Sequence, residues 1–256
     1  MHAIDRSRRS FLRTLLTGAG GLLLAGCDAA SRTQWFPKLL ESGEHLSRSV
    51  QRAITPRRSM AQEFSEADLS PYFRSNGTDN PSDAEYQALA RDGFVGWRLR
   101  VEGLVERPVQ LTLAELRAMV SRTQITRHDC VEGWSAIGKW TGVPLSEVLR
   151  LVRPRPAARY VMFYCADPMD ASGAKYYESI DMEDAWHPQT ILAYELNGQR
   201  LPIANGAPLR LRVERQLGYK MAKYLMRIEL VERFTHIRGG KGGYWEDDGY
   251  EWYAGI

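Results

Sequence analysis

Cysteine is scarce in this sequence of 256 residues, which contains only Cys27, Cys130 and Cys165. It has no Cys-x-x-Cys pair, no Cys-x-x-Cys-His haem-attachment sequence and no His-Glu-x-x-His zinc sequence. These absences exclude a c-type haem, a zinc site built on paired cysteines and the zincin type of metalloprotease. If the protein carries out redox chemistry, its electron partner must therefore be another protein.

An excess of charge of one sign is also missing from most of the chain. The formal net charge of +3 reflects 34 Lys and Arg against 31 Asp and Glu. Four of the basic residues and one of the acidic residues lie in residues 1–26, so that 30 of each kind remain in the rest. A neutral chain of this kind gives no electrostatic basis for nucleic-acid binding.

The apolar stretch near the N-terminus, residues 15–26, is about a dozen residues long and too short to cross a bilayer as a permanent helix. It follows a twin-arginine export sequence at 7–12 and ends in Leu-Ala-Gly before Cys27, as in a bacterial lipobox. We therefore expect a twin-arginine lipoprotein signal peptide over 1–26 and lipidation of Cys27. This lipid would anchor the exported chain at the periplasmic face of the inner membrane. A plain cleaved signal with an incidental cysteine is the alternative.

Residues 27–65 are predicted to form a tether between this signal and the folded domain. Leu46, Val50 and Ile54 recur every four residues among several arginines, which indicates a basic helix with one apolar face. Such a helix could lie against anionic lipid or a membrane partner, or it could pack on the domain. The spacing alone does not separate these alternatives.

The remaining residues, 66–256, carry the signals of short helices and strands. Ser82-x-x-Glu85 and the similar sequence that begins at Thr112 are capping boxes, which predict helix starts. An Asn-Gly pair at 197–198 predicts a two-residue hairpin turn. This mixture favours one α+β domain over a parallel doubly wound sheet. Further runs predict a helix over 145–151 and strands over 97–101, 123–126, 160–165, 210–213 and 224–231.

Cys130 stands on a polar and aromatic loop between the strand predicted over 123–126 and the helix predicted over 145–151. A thiol at a strand end can reach a pocket, although free cysteines are more often buried and inert. Residues 130–135, Cys-Val-Glu-Gly-Trp-Ser, resemble the molybdenum-ligand loop of the methionine-sulfoxide reductase branch of the sulfite-oxidase superfamily. Residues 136–145, Ala-Ile-Gly-Lys-Trp-Thr-Gly-Val-Pro-Leu, resemble the matching loop of the sulfite oxidases.

Three later segments resemble the same superfamily in the order that the superfamily has: residues 184–198, 205–211 and 218–223. The likeness extends from about Pro71 to the C-terminus. It implies the sulfite-oxidase molybdopterin-binding fold, an α+β arrangement of mixed β-sheets with short helices. It also implies a single catalytic domain over 66–256, without the C-terminal dimerisation domain of the sulfite oxidases.

The resemblance implies a bound Mo-molybdopterin with Cys130 as the protein ligand of the metal, and it argues against a disulfide between Cys130 and Cys165. A soft thiolate suits a transition metal, and positive charge from Arg127, His128 and Lys139 would favour the deprotonated thiol. The implied cofactor contacts are Arg74, Ser75, Asn76, Cys165, Asn205, Arg210, Met221, Ala222 and Lys223.

Several of these residues have a plainer alternative. Asn76 lies in an Asn-Gly pair that could be an ordinary surface turn, and Cys165 could be a core residue. Lys220 and Lys223 occupy one turn, and the family pattern favours Lys223 as the phosphate contact. His128 is a candidate pocket residue, although a lone histidine is more often a structural group.

The resemblance implies a two-electron oxygen-atom transfer, in which Arg74 would bind the oxygen of an oxyanion, sulfoxide or N-oxide substrate. Where sulfite oxidases follow the metal ligand with arginines, this sequence has Glu132 and Trp134, which favours a small neutral sulfoxide or N-oxide. Trp134 and Trp140 would supply apolar walls. Electrons would pass through a separate cytochrome or membrane haem protein. The alternatives are a sulfite dehydrogenase that donates electrons to a cytochrome, and a cofactor-free lipoprotein binding module.

Overall fold

The computed structural model describes residues 59–256, together with single positions at 33, 35, 43, 46, 49 and 50. The chain divides into two compact units, Met1–Thr55 and Pro56–Ile256. The signal peptide predicted over 1–26 and the lipidation site Cys27 lie outside the described residues, as does most of the tether predicted over 27–65.

In the first unit, Leu46 and Val50 are helical and exposed. Ile54 and the arginines of the predicted basic helix lie outside the described positions, so contact between this helix and lipid stays a prediction. None of the helices that the structure describes is long and apolar enough to cross a membrane.

The second unit is built on two β-sheets with short strands. The strands are β1 (Arg98–Gly103), β2 (Val109–Thr112), β3 (Arg122–Cys130), β4 (Trp134–Pro144), β5 (Tyr160–Pro168), β6 (Lys175–Asp181), β7 (Ile191–Leu196), β8 (Gln199–Arg200), β9 (Arg210–Arg212) and β10 (Leu225–Val231). The first sheet has the order β2-β1-β10-β5-β6, and the second has the order β3-β4-β7-β8 with β9 paired to β7. β1 runs parallel to β10, and the other described pairs are antiparallel.

Short helices connect these strands. They are α1 (Ala84–Arg91), α2 (Leu113–Ala118), α3 (Leu145–Val152), α4 (Met182–Ala185) and α5 (Tyr244–Asp247), with 3-10 turns at Glu66–Asp68, Ile203–Asn205 and Gly218–Lys220. Mixed sheets with few and short helices confirm the predicted α+β class.

The main core joins α3 with residues of both sheets. Leu145, Val148, Leu149 and Val152 recur on one face of this helix and are completely buried. Each such side chain contributes about 1.5–3 kcal/mol through its removal from water. They pack in one cluster with strand residues that include Leu99, Phe163 and Ile228.

A smaller core holds the segment before α1 against the second sheet. Phe73 is buried with Trp140, Ile191 and Leu196, and its ring meets the ring of Trp140 edge-on at a centroid distance of 5.0 Å. This contact fixes the residues that follow Phe73, here named the 74–79 loop, beside the β3–β4 hairpin.

The predicted capping box at Thr112 is confirmed, but the one at Ser82 is wrong. Thr112 Oγ1 accepts from the Glu115 amide, and the Glu115 carboxylate accepts from the Thr112 amide. α1 begins at Ala84, and the carboxylate of Asp83 accepts from the Tyr86 amide. Asp83 rather than Ser82 therefore caps α1, because its carboxylate reaches the third amide of the helix.

The predicted hairpin turn at Asn197 and Gly198 is confirmed between β7 and β8. Their φ angles of 53° and 75° are both positive, as a two-residue type I′ turn requires. Asn and Gly tolerate this left-handed region better than other residues do, which explains why the pair was a usable signal.

Candidate functional site

Cys130 is the last residue of β3, which extends four residues beyond the strand predicted over 123–126. β3 pairs with β4 along its whole length, and Cys130 stands opposite Trp134 across a turn of three residues. Gly133 closes this turn with φ 83°, and its amide donates to the carbonyl of Cys130. The hairpin therefore holds the free, half-buried thiol at a strand end, away from the main core.

The thiol lines a cavity of about 230 Å³. One side is formed by Asn76 of the 74–79 loop and by Glu132 of the Cys130 turn, while Met221 and Lys223 contribute from the segment after the 3-10 turn at Gly218–Lys220. Cys130, Asn76, Met221 and Lys223, which are far apart in the sequence, thus meet at one place.

Two buried cations lie at this site and have no carboxylate hydrogen-bond partner among the described residues. Arg210 is completely buried, and its guanidinium donates to the carbonyls of Asn205 and Met221. The Lys223 ammonium donates to the carbonyls of Asn76, Thr78 and Ala204 at 2.5–2.8 Å. Burial lowers the pKa of Arg210 to about 9 and that of Lys223 to about 7, and the Coulomb repulsion of neighbouring arginines adds to the effect.

These donors fit an anionic cofactor group. Arg210 Nε and Asn205 Nδ2 are buried and have no hydrogen-bond partner among the described residues. An unsatisfied buried donor costs about 1–3 kcal/mol, and a phosphate would satisfy both donors and neutralise the two cations. Arg210, Lys223 and Asn205 could therefore hold the phosphate of a pterin, and Cys130 could hold its metal.

Arg212 is also completely buried, but it is already paired. Its guanidinium donates twice to the carboxylate of Glu214, at 2.9 and 2.7 Å, and once to His128 Nδ1 at 3.0 Å. Since His128 Nδ1 accepts from Arg212, the ring proton lies on Nε2. Burial and the charge of Arg212 hold the pKa of His128 well below its usual value, so this ring is neutral.

The positive charge expected near Cys130 from Arg127, His128 and Lys139 is therefore not what the structure shows. Arg127 pairs with Asp129, and Lys139 pairs with Glu66. The cations that favour the thiolate are Arg74 and Arg210. Burial nevertheless raises the pKa of Cys130, so the charges oppose desolvation without overcoming it.

Arg74 and Ser75 of the 74–79 loop do not line the cavity, whereas Asn76 does. Arg74 is exposed, with its guanidinium 5.7 Å from the centre of the Trp134 ring. Ser75 donates to Asp79 within the loop. Glu132 accepts from the Gly77 amide at 3.2 Å, which ties the loop to the Cys130 turn. Contacts of Arg74 and Ser75 with a cofactor stay predictions.

Two other predicted contacts are buried and do not line the cavity. Cys165 is buried in the main core, where burial raises the pKa of its thiol well above the usual value. Ala222 is buried, and its carbonyl accepts from the Leu211 amide. Neither side chain is among those that line the cavity.

Tryptophans 134 and 140 do not form the apolar wall that the sequence suggested. Trp140 is completely buried beneath Arg210 and Arg212, whose guanidinium carbons lie 5.0 and 4.4 Å from its ring centre. The wall is formed instead by Tyr176, Tyr219, Trp245 and Tyr250. Trp245 and Tyr250 stack at 5.5 Å. The many aromatic residues of the C-terminal segment, which include Trp245 and Tyr250, indicated an ordered segment in the sequence. The sequence did not indicate that these two side chains line the cavity.

Asp167 also lines the cavity and carried no sequence signal. It is almost completely buried at the end of β5, and burial raises its pKa to about 6. One of its carboxylate oxygens has no hydrogen-bond partner in the described part of the chain. The cavity thus joins a thiol, two carboxyl groups, a buried cation and an aromatic wall.

The buried Lys223 ammonium predicts a pH dependence of the cofactor-free protein. Between about pH 7 and pH 9 the unfolded chain keeps the Lys223 proton and the folded chain has lost it, so the free energy of unfolding rises with pH. The slope should be smaller in Lys223→Met, as measured by urea unfolding across this range. Equal slopes in the two proteins would contradict an uncompensated buried cation at Lys223.

Comparison with known proteins gives the family. A family model described as the oxidoreductase molybdopterin binding domain matches residues 88–236. The chain is 39% identical over 249 residues to a protein of Azospira oryzae provisionally named protein-methionine-sulfoxide reductase subunit YedZ1, covering 97% of this chain and 88% of that protein. It is 34% identical to the protein-methionine-sulfoxide reductase catalytic subunit MsrP of Ralstonia nicotianae, over 91% of this chain and 70% of that protein.

A solved structure supports the fold. The sulfane dehydrogenase SoxCD of Paracoccus pantotrophus matches with a TM-score of 0.51 and 24% identity, over 57% of this chain and 40% of that chain. The family match, the similar sequences and the fold all agree with the resemblance of the Cys130 segment to the sulfite-oxidase superfamily. The chain belongs to the molybdopterin-binding oxidoreductases of the sulfite-oxidase superfamily.

Proposed function

We propose that the protein reduces a neutral sulfoxide by two-electron oxygen-atom transfer, with Cys130 as the protein ligand of molybdenum. The observation that carries this proposal is the composition of the cavity beside Cys130, where the carboxyl groups of Glu132 and Asp167 share the lining with four aromatic side chains. The relatives from Ralstonia and Xanthomonas are named for the reduction of methionine sulfoxide in proteins, which supports the same reaction class.

Each residue of the site has a defined task in this proposal. The bound molybdopterin supplies the metal centre and the two-electron redox chemistry. Arg210, Lys223 and Asn205 bind the pterin phosphate through donors that have no carboxylate partner in the part of the chain that the structure describes. Cys130 must be deprotonated to bind a metal, and the nearby charges of Arg74 and Arg210 lower the free-energy cost of that step.

The cavity favours a neutral substrate over sulfite. The hydrogen bond from Trp134 Nε1 holds the pKa of Glu132 below its usual value, so Glu132 is ionised at neutral pH. An anionic substrate would meet this like charge in a partly desolvated cavity. The aromatic wall suits the alkyl groups and the sulfur atom of a sulfoxide. Sulfur contacts with aromatic rings contribute about 0.3–1.5 kcal/mol.

Paired kinetics test this choice of substrate. The reduced protein should turn over small alkyl sulfoxides with a larger kcat/KM than the oxidised protein shows for sulfite. Glu132→Gln removes one negative charge without changing the shape of the side chain, and it should shift the ratio toward sulfite by about tenfold. A larger kcat/KM for sulfite in the wild-type protein would overturn the proposal in favour of a sulfite dehydrogenase.

We propose further that the protein works as a lipoprotein at the periplasmic face of the inner membrane. The twin-arginine sequence at 7–12 supports export in the folded state, and Cys27 supports acylation. The sequence has no haem-attachment motif, so we propose that a separate cytochrome or membrane haem protein delivers the electrons.

Localisation can be tested with two sets of substitutions. Cys27→Ser should release the protein from the membrane fraction, because it removes the site of acylation. Replacing Arg8 and Arg9 by Lys should instead leave the protein in the cytoplasm. Fractionation and immunoblotting would show both effects. A Cys27→Ser protein that stays tightly bound to membranes would contradict anchoring through the lipid.

A further inference from the structure

A group of three charged side chains is completely buried beside the aromatic wall of the cavity. The Lys220 ammonium donates to Glu178 Oε1 and to Glu246 Oε1, each at 2.5 Å. All three side chains have no exposed surface. They come from the 3-10 turn, from β6 and from α5, and we call them the Lys220 triad.

The triad has one cation and two carboxyl groups. If both carboxyl groups were ionised, a net negative charge would be buried, which is costly in a protein interior. Burial raises the pKa of Glu178 well above its usual value, and the charge of Glu246 adds to this effect. A proton retained by Glu178 makes the triad neutral.

The surroundings of the triad do not compensate a second negative charge. Glu178 Oε1 also accepts from the Ser179 amide at 2.7 Å, and Glu246 Oε2 has no partner in the part of the chain that the structure describes. The face of the Trp252 ring lies 5.4 Å from Lys220 Nζ. The other ionisable groups that interact electrostatically with Glu178 or Glu246 are Cys165 of β5, Tyr176 and Tyr177 of β6 and Tyr219 of the 3-10 turn.

One hydroxyl group connects the triad with the cavity. The Tyr176 hydroxyl lies 3.4 Å from Glu178 Oε2, and it donates to the carbonyl of Tyr219. Tyr176 and Tyr219 both line the cavity that contains Cys130. The triad is therefore buried from solvent but separated from the cavity by a single side chain.

We propose that the Lys220 triad stores a proton at neutral pH and that Tyr176 passes it to the oxygen atom that leaves the substrate. Reduction of a sulfoxide takes two electrons and two protons, breaks the sulfur–oxygen bond and gives a thioether and water. A haem-protein donor would supply the electrons, and bound molybdopterin would supply the two-electron redox chemistry. One proton moves from Tyr176 to the departing oxygen, Tyr176 recovers it from Glu178, and solvent supplies the second proton and later recharges the triad.

The transfer of a proton to the substrate rests on the proposed reduction of sulfoxides, whereas the presence of a proton on the triad does not. Infrared spectra of the holoenzyme in H2O and D2O test directly whether the triad carries this proton. At about pH 8, two pH units above the pKa of Asp167, Asp167 is ionised and does not contribute a protonated carboxyl band. The wild type should still show a carboxylic-acid carbonyl band that shifts in D2O. Glu246→Gln should lose this band, and Tyr176→Phe should keep it.

Turnover with an alkyl sulfoxide tests whether the proton is transferred through Tyr176. Tyr176→Phe removes one oxygen atom and should lower kcat by about tenfold or more, since positioned proton transfer typically contributes 10²–10⁴-fold. Molybdenum content and KM should not change. Tyr177→Phe is the matched control, because Tyr177 is the next residue of β6, donates to Asp247 and does not line the cavity.

Each outcome decides a separate point. A wild-type spectrum without the deuterium-sensitive band would show that the Lys220 triad does not hold a proton. Equal kcat values for Tyr176→Phe and Tyr177→Phe would show that the proton is not transferred through Tyr176. This comparison does not depend on whether Glu246→Gln folds. A wild type that shows the band but reduces no sulfoxide would support the store and overturn the proposed function.

Discussion

Replacement of Cys130 by Ser should reduce turnover to the background level while the fold is retained. The substitution exchanges a soft thiolate for a hydroxyl group that is rarely ionised, and a molybdenum centre prefers the thiolate. The β3–β4 pairing does not depend on the sulfur atom, and the phosphate donors Arg210 and Lys223 are unchanged, so the pterin should remain bound. Steady-state reduction of an alkyl sulfoxide with a dye donor measures the loss.

A control on the same strand separates this effect from disturbance of the hairpin. Thr123→Ser also makes a small change in β3, at a position whose hydroxyl has its described hydrogen bond with Thr141 on the neighbouring strand. Its turnover should equal that of the wild type. Unchanged turnover in Cys130→Ser, with normal molybdenum content, would show that a different side chain holds the metal.

Gly142→Ala should destabilise the protein by about 3 kcal/mol or more, because overpacking against rigid neighbours is among the most costly substitutions. Gly142 stands opposite Ala193 where the pairing of β4 with β7 shifts register. A methyl group there would lie well inside contact distance of the Leu192 carbonyl and the Ala193 Cα atom, which are backbone and cannot rotate away. Thermal and urea unfolding would measure the loss.

Gly96→Ala provides the matched control. Among the described residues, an added methyl group at Gly96 would meet Leu89 Cδ2 alone, at an ordinary contact distance of 3.5 Å. Its free energy of unfolding should change by less than about 0.5 kcal/mol. A Gly142→Ala protein as stable as Gly96→Ala would mean that β4 and β7 do not approach each other as closely as the structure shows.

Local signals in the sequence predicted the parts of the fold that depend on local geometry. The hairpin turn at Asn197 and Gly198 requires positive φ at both residues, and few residue pairs allow this. The capping box at Thr112 likewise depends on only four consecutive residues. The end of β3 was missed, since pairing with β4 rather than its own alternation extends that strand to Cys130.

The electrostatics of the site could not be predicted in the same way. Lys220 and Lys223 are three residues apart in one segment, yet one lies between two carboxyl groups and the other contacts only backbone carbonyls among its described hydrogen bonds. Similarly, Arg210 and Arg212 differ because the Glu214 carboxylate accepts hydrogen bonds from Arg212, whereas the described hydrogen bonds of Arg210 go to backbone carbonyls. Partners that are distant in the sequence or set by side-chain direction decide these roles, and spacing does not encode them.

X-ray absorption at the molybdenum edge tests the central claim most directly. If Cys130 is the protein ligand, the wild-type holoenzyme should contain one more sulfur atom in the coordination shell of the metal than Cys130→Ser, at comparable metal content. A coordination shell with the same number of sulfur atoms in both proteins would contradict the assignment of Cys130, and with it the proposed position of the active site.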